Sequence, residues 1–226
     1  MLCFIVKLKM ISNKFITVFI LFCLLVSFQA FSQVETAITD KRDGQVYRTK
    51  SINGTTWMLD NLNYHSQLSI NADTTKNYAP RGRFYHLEEL DSVCPQGWIV
   101  STKEDWLTYF DFLIESTSDT TLTIQEDKRD EMIHVYYLGK LDPFMGINPL
   151  NLNHTGWIEG VEWSSEEIIP PPSANYWVLE PNRDEIQRTH AHVSMIGAQI
   201  HRHKHNTKPK QKKKLRRFMV RCVKCE

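Results

Sequence analysis

Residues 43–64 read Asp43-Gly-Gln-Val-Tyr-Arg-Thr-Lys-Ser-Ile-Asn-Gly-Thr-Thr-Trp-Met-Leu-Asp-Asn-Leu-Asn-Tyr64, and they set what the remaining chain has to supply. Val46, Tyr47 and Thr49 precede an Asn53-Gly54 pair; Thr55, Thr56, Trp57 and Met58 follow it. Both central residues of a type I′ turn need positive φ, so Asn-Gly between two β-prone runs predicts a hairpin. An isolated hairpin is marginal in water. Something downstream must therefore cover it.

Working outward toward the N-terminus, residues 33–42 read as a polar lead-in. Before them stands a leader pattern. Lys7, Lys9 and Lys14 form a basic region, Phe15 to Phe28 is an apolar core, and Ala30-Phe31-Ser32 is a small-x-small cleavage site. Met10 is an alternative start, because a compact signal begins there. The competing reading is a transmembrane anchor, but the apolar run is short for the ~20 residues a span requires. Cys23 follows Phe22 rather than a small residue, which argues against lipid attachment. Export with cleavage after Ser32 is expected, to the periplasm, the cell surface or the medium, leaving no transmembrane span. The mature chain keeps Cys94, Cys222 and Cys225. An oxidising compartment permits disulfides, and an odd count leaves one thiol over.

Working outward toward the C-terminus, 61–80 is rich in Asn, Thr and Ser and reads as a loop. Gly82 to Tyr85 reads as a short strand or turn. Leu87, Leu90 and Val93 have helical spacing that Pro95 interrupts. Ser101 and Glu104 have the spacing of a capping box. Trp106, Phe110, Leu113 and Ile114 continue at helical spacing to Glu115, and the plain reading of that stripe is core packing. A polar, acidic stretch follows at 116–130. Strands are expected at 133–138, around Trp157, Trp163 and Tyr176 to Leu179, as one strand over 191–200, and at 218–224. In that last strand Phe218, Val220 and Cys222 share a face.

DGQVYRTKSINGTTWMLDNLNY at 43–64, GRFYHLEELDSVCPQGWIVSTKEDW at 82–106, Trp163-Ser164-Ser165 and RFMVRCVK at 217–224 occur in an order that resembles the Fibrobacter succinogenes major paralogous domain family. Asp60 stands where that family has Glu, and Ile99-Val100 where it has Leu-Pro. Its glycine-rich middle is replaced here by a divergent run around 144–148, and the basic segment 201–217 has no counterpart in it. The resemblance implies an α+β class with a C-type-lectin-like fold: two helices, a small antiparallel sheet joining the termini, and a long irregular region. It places one domain over 43–226, with a basic insertion at 201–217. It also implies a disulfide between Cys94 and Cys222, leaving Cys225 over. Such a bond closes a loop of more than a hundred residues, worth about 4–5 kcal/mol in the chain-entropy model.

Composition narrows function. The chain has 226 residues, 42% of them hydrophobic, and a net charge of only +1. That balance hides an asymmetry. Thirteen Lys and Arg meet twenty-five Asp and Glu in 33–200, a balance of −12, whereas eleven meet one in 201–226, a balance of +10. The run Lys208, Lys210, Lys212, Lys213, Lys214, Arg216 and Arg217 suits an anionic surface. In an exported protein, envelope polysaccharide or lipid headgroups are nearer at hand than nucleic acid. The alternative for this run is a solvated loop that balances the acidic body.

His201, His203 and His205 alternate, as do His190 and His192. Period-two spacing on a strand puts each set on one face, where imidazoles bind zinc and related metals. A polar loop is the competing reading, given Arg202 and Lys204 between them. Glu180-Pro181-Asn182 offers the hard oxygens calcium prefers, though a tripeptide is easily accidental. No phosphate loop, nucleophile elbow or metalloprotease helix occurs. Acids such as Glu88, Glu89, Asp91, Glu104 and Asp105 read as solvated faces. No cofactor is required by any of this. The expectation is a non-catalytic binding or surface-interaction domain. A structural or adhesion module without a small-molecule site is second, and an enzyme third.

Overall fold

The computed structural model describes residues 35–71, 82–116, 124–127, 132–136, 150–152, 157–160, 167–169, 173–180, 187–194, 197–204 and 215–225. All of them lie within the unit Glu35–Glu226; the leader expected at 1–32 lies outside the described residues. In chain order the strands before the α-helix are β1 (Thr36–Thr39), β2 (Val46–Ile52), β3 (Thr55–Met58), β4 (Ile70–Asn71), β5 (Arg83–Phe84) and β6 (Trp98–Val100). Helix α1 (Lys103–Glu115) comes next. After it come β7 (Ile124–Asp127), β8 (Met132–Tyr136), β9 (Trp157–Gly160), β10 (Glu167–Ile169), β11 (Ser173–Trp177), β12 (Gln187–Ser194), β13 (Gly197–Lys204), β14 (Leu215–Arg217) and β15 (Cys222–Lys224).

The expected α+β, C-type-lectin-like fold with two helices is not what forms. Among the described residues there is one α-helix beside fifteen strands. The strands make sheets ordered β1-β2-β3-β15-β6, β11-β12-β13-β8-β7, β10-β9-β14 and β4-β5. Two physical causes account for the difference. The segment expected as a first helix is a single 3-10 turn at Leu87–Glu89, since Pro95 and the tether at Cys94 leave no room for a second turn. The region expected as irregular is rich in alternating sequence that pairs into strands.

The hairpin forms as its sequence predicts. Asn53 has φ 46° and Gly54 φ 86°, and Ile52 pairs with Thr55 across the turn. The hairpin is covered on both faces. Trp57 joins one hydrophobic cluster with Ile52, Leu59 and Val223, and Met58 joins a second with Tyr47, Val100 and Cys222. A strand buried on both sides carries consecutive apolar residues rather than alternating ones. Trp57-Met58 and Cys222-Val223 both show this. The first face is covered by α1, whose Trp106 lies 5.2 Å from Trp57, edge to face. The second is covered by the 87–94 segment, locked by the Cys94–Cys222 disulfide with Cα atoms 6.0 Å apart.

Helix α1 begins one residue later than expected. Thr102, not Ser101, is the N-cap: Asp105 N–H donates to its hydroxyl at 3.2 Å, and its own N–H donates to the Asp105 carboxylate at 2.7 Å. Ser101 is held in the extended layer instead. Its N–H donates to Arg221 O and its carbonyl accepts from Leu179 N–H.

Helix α1 also reaches the second large sheet. Trp106 stacks on Tyr176 of β11 at 5.7 Å, and Ala174, Tyr176, Ala191, Val193, Ala198 and Ile200 complete that cluster. Two further residues bind the two sheets. Arg221, fully buried, donates to Met58 O at 3.2 Å, Asn151 O at 3.1 Å and the Tyr176 hydroxyl at 3.5 Å. The Tyr176 hydroxyl in turn donates to Asn61 Oδ1 at 3.1 Å. Gly82 lets the chain pass close against Asn61. It has φ +133°, and a Cβ there would stand 2.7 Å from Asn61 Cβ.

Candidate functional site

The histidines gather on the hairpin of β12 and β13. The expected single strand over 191–200 is in fact two strands, with Val193 opposite Ala198 and Ser194 opposite Gly197. The hairpin folds because alternation serves both faces. Ala191, Val193, Ala198 and Ile200 enter the core, which sends His190, His192, Gln199 and His201 to the other side. His190 lies directly opposite His201, and His192 opposite Gln199.

The rings stack. The His190 and His201 centroids are 5.2 Å apart at 12°, and those of His192 and His201 are 5.6 Å apart at 29°. Phe218 closes the other side of His190 at 4.4 Å and 14°. Trp177 meets Phe218 edge to face at 4.8 Å, and its indole N–H donates to Tyr85 O at 2.8 Å. Phe218 is therefore held between β11, through Trp177, and the Tyr85 backbone, with which it also forms a β-bridge. His201 Nε2 pairs with Gln199 Oε1. His190 is 5% exposed, while His192 and His201 are half-buried. Burial lowers the His192 pKa from its ordinary value, since the charged imidazolium loses solvation.

The metal set expected at His201, His203 and His205 falls only in part on the described residues. His201 stacks as described, His203 lies in β13 opposite Arg188, and His205 lies outside the described residues. Among the described residues no group of three or more His, Cys, Asp or Glu side chains is placed to hold a metal. Glu180 is half-buried; Pro181 and Asn182 lie outside the described residues.

The basic run divides. Lys208, Lys210, Lys212, Lys213 and Lys214 lie outside the described residues, while its ends are strands: β13 finishes at Lys204 and β14 starts at Leu215. Arg216 is half-buried opposite Glu159. Arg217, expected on a solvated surface, is 3% exposed. Burial lowers its pKa against the opposing pull of Glu89. Its place in β14 opposite Ile158 removes it from any surface set. The Cys94–Cys222 bond is formed, and Cys225 is exposed with a free thiol.

The face-to-face arrangement of His190 and His201 was hidden in the sequence. Two alternating histidine runs separated by a glycine, Gly197, are the signal that could have shown it, because a turn there folds one run onto the other. Among the described residues no helix is long and apolar enough to cross a membrane. The chain matches no protein-family model, no curated protein and no solved structure with which it was compared.

Proposed function

We propose that this chain is an exported, non-catalytic surface-interaction domain that meets anionic polysaccharide outside the cytoplasm. The observation that carries the reading is the charge division: a body at −12 over 33–200 and a segment at +10 over 201–226. A cationic connection strung between two strands suits a polymer of repeated negative charge, since each contact is weak and many act together. The Cys94–Cys222 disulfide supports an oxidising compartment, and with it the leader reading of 1–32. Kinship with the Fibrobacter succinogenes major paralogous domain family belongs to the same proposal, on the stretches at 43–64, 82–106 and 217–224.

The test is binding of the exported protein to dextran sulfate, with neutral dextran as control. Retention on the sulfated polymer alone, weakening with added salt, is the expected result. Equal behaviour on both polymers would leave a structural or adhesion module as the better reading.

A further inference from the structure

The imidazole stack is not explained by core packing alone. Histidine is only intermediate among residues in its tendency to be buried, yet here three imidazoles share one face, with centroids 5.2 and 5.6 Å apart. Two of the three, His192 and His201, are half-buried, so solvent and solutes reach them. The register positions beside them are Asn175 and Trp177 on β11 and Gln199 on β13, all uncharged. On β8, His134 stands opposite Gln199; at the far end of the hairpin His203 stands opposite Arg188. Across the edge of β7, Gln125 stands opposite His134 and Asp127 opposite Met132. From the C-terminal segment come Phe218, stacked on His190, and the buried Arg217 before it. The chain enters the basic connection from β13, which carries His201, and returns from it through β14 into Phe218.

We propose that the stack of His190, His192 and His201 is a proton-gated contact for anionic polysaccharide, engaged when its imidazoles are charged and released when they are neutral. The proposal rests on the polysaccharide reading above and adds its regulation. His192 and His201 are the contact residues; His190, held between Phe218 and His201, positions the second ring. Imidazole is the side chain whose charge changes near neutral pH. Like charges on adjacent rings in a stack oppose one another. The lowered His192 pKa agrees in direction. The sign follows. With the folded-state pKa below the unfolded one, stability is complete above about pH 6.5 and declines as the pH falls below it. A polyanion laid on the face offsets the repulsion. It therefore binds more tightly as the pH falls, and takes up protons as it binds.

Two measurements on the full exported chain test this. The first is affinity for dextran sulfate at about pH 5.5 and about pH 7.5, for the unaltered protein and for His192→Gln and His201→Gln made singly. About tenfold tighter binding at the lower pH is expected, with the ratio falling toward one in either variant. The second follows the imidazole resonances of the unaltered protein through a pH titration, and does not depend on a variant folding. Added dextran sulfate should move their midpoints upward. Binding that is equal at the two pH values, or midpoints that ignore the polymer, overturns the gate while the polysaccharide reading stands. A pH ratio retained in both variants also overturns it. No binding at either pH overturns the polysaccharide reading, and the gate with it.

Discussion

The sheet β1-β2-β3-β15-β6 and the sheet β11-β12-β13-β8-β7 are both antiparallel, but they are closed in opposite ways. The first needs the two ends of the described chain to meet: β15 inserts between β3 and β6, with Val223 opposite both Trp57 and Ile99. The second is built largely from neighbours, since β12 and β13 pair along eight positions across a short turn. Long-range closure costs loop entropy before any contact repays it. The first sheet accordingly carries a disulfide and burial on both faces. The second is held by a hairpin ladder, and the face of it away from α1 carries titratable side chains.

The largest expected effect comes from removing the staple. The double variant Cys94→Ser/Cys222→Ser should lose about 4–5 kcal/mol, the loop-entropy value for a crosslink of this span. Hydrogen exchange followed by mass spectrometry should find the loss concentrated in 46–58 and 215–225, with 187–204 keeping its protection. Equal loss in both regions would break the contrast between the sheets.

Gly82→Ala comes next. It combines left-handed backbone strain with a 2.7 Å approach to Asn61 Cβ, for about 2–4 kcal/mol. Because Asn61 accepts from Tyr176, the damage should spread from the first sheet to the second. Denaturant unfolding together with exchange at 173–177 measures both parts, and an unchanged midpoint would show that Asn61 moves aside freely.

Thr102→Ala should cost about 1 kcal/mol by removing the N-cap of α1, whereas Ser101→Ala should not act through that cap. Comparing the two variants in urea separates a cap at Thr102 from one at Ser101. The smallest change in stability is expected for Lys210, Lys212, Lys213 and Lys214 replaced together by Gln. On the polysaccharide reading these side chains serve binding rather than packing, so melting should stay nearly constant while retention on dextran sulfate is lost. Falling stability with retained binding would make the run a counter-charge for the acidic body.

Much of the first sheet was legible because its signals are local. Asn53-Gly54 specifies its own turn, and the spacing of Trp106, Phe110 and Leu113 specifies a helix face. The pairing of Cys94 with Cys222 came from resemblance, and the structure forms it. The Leu87–Val93 spacing misled, since three apolar residues at helical intervals fit a single 3-10 turn equally well when a proline and a disulfide follow. The stretch 191–200 misled for another reason. Its alternation is that of a strand, and alternation continues on either side of a tight turn, so the pattern does not show where the chain reverses.

The amino-acid sequence by itself determined the Asn53-Gly54 hairpin, helix α1, the acidic body and the basic segment, because each depends on residues near one another along the chain. Only the tertiary structure decided that Arg217 and Arg221 are buried, that Thr102 rather than Ser101 caps the helix, and that His190 and His201 meet ring to ring. Each of those depends on a partner brought from far along the chain. Arg221 is held by oxygens of Met58, Asn151 and Tyr176, Ser101 is drawn into the sheet by Arg221 and Leu179, and His190 is walled by Phe218. Burial is a property of what packs against a residue, and no short stretch of sequence contains its own neighbours in space.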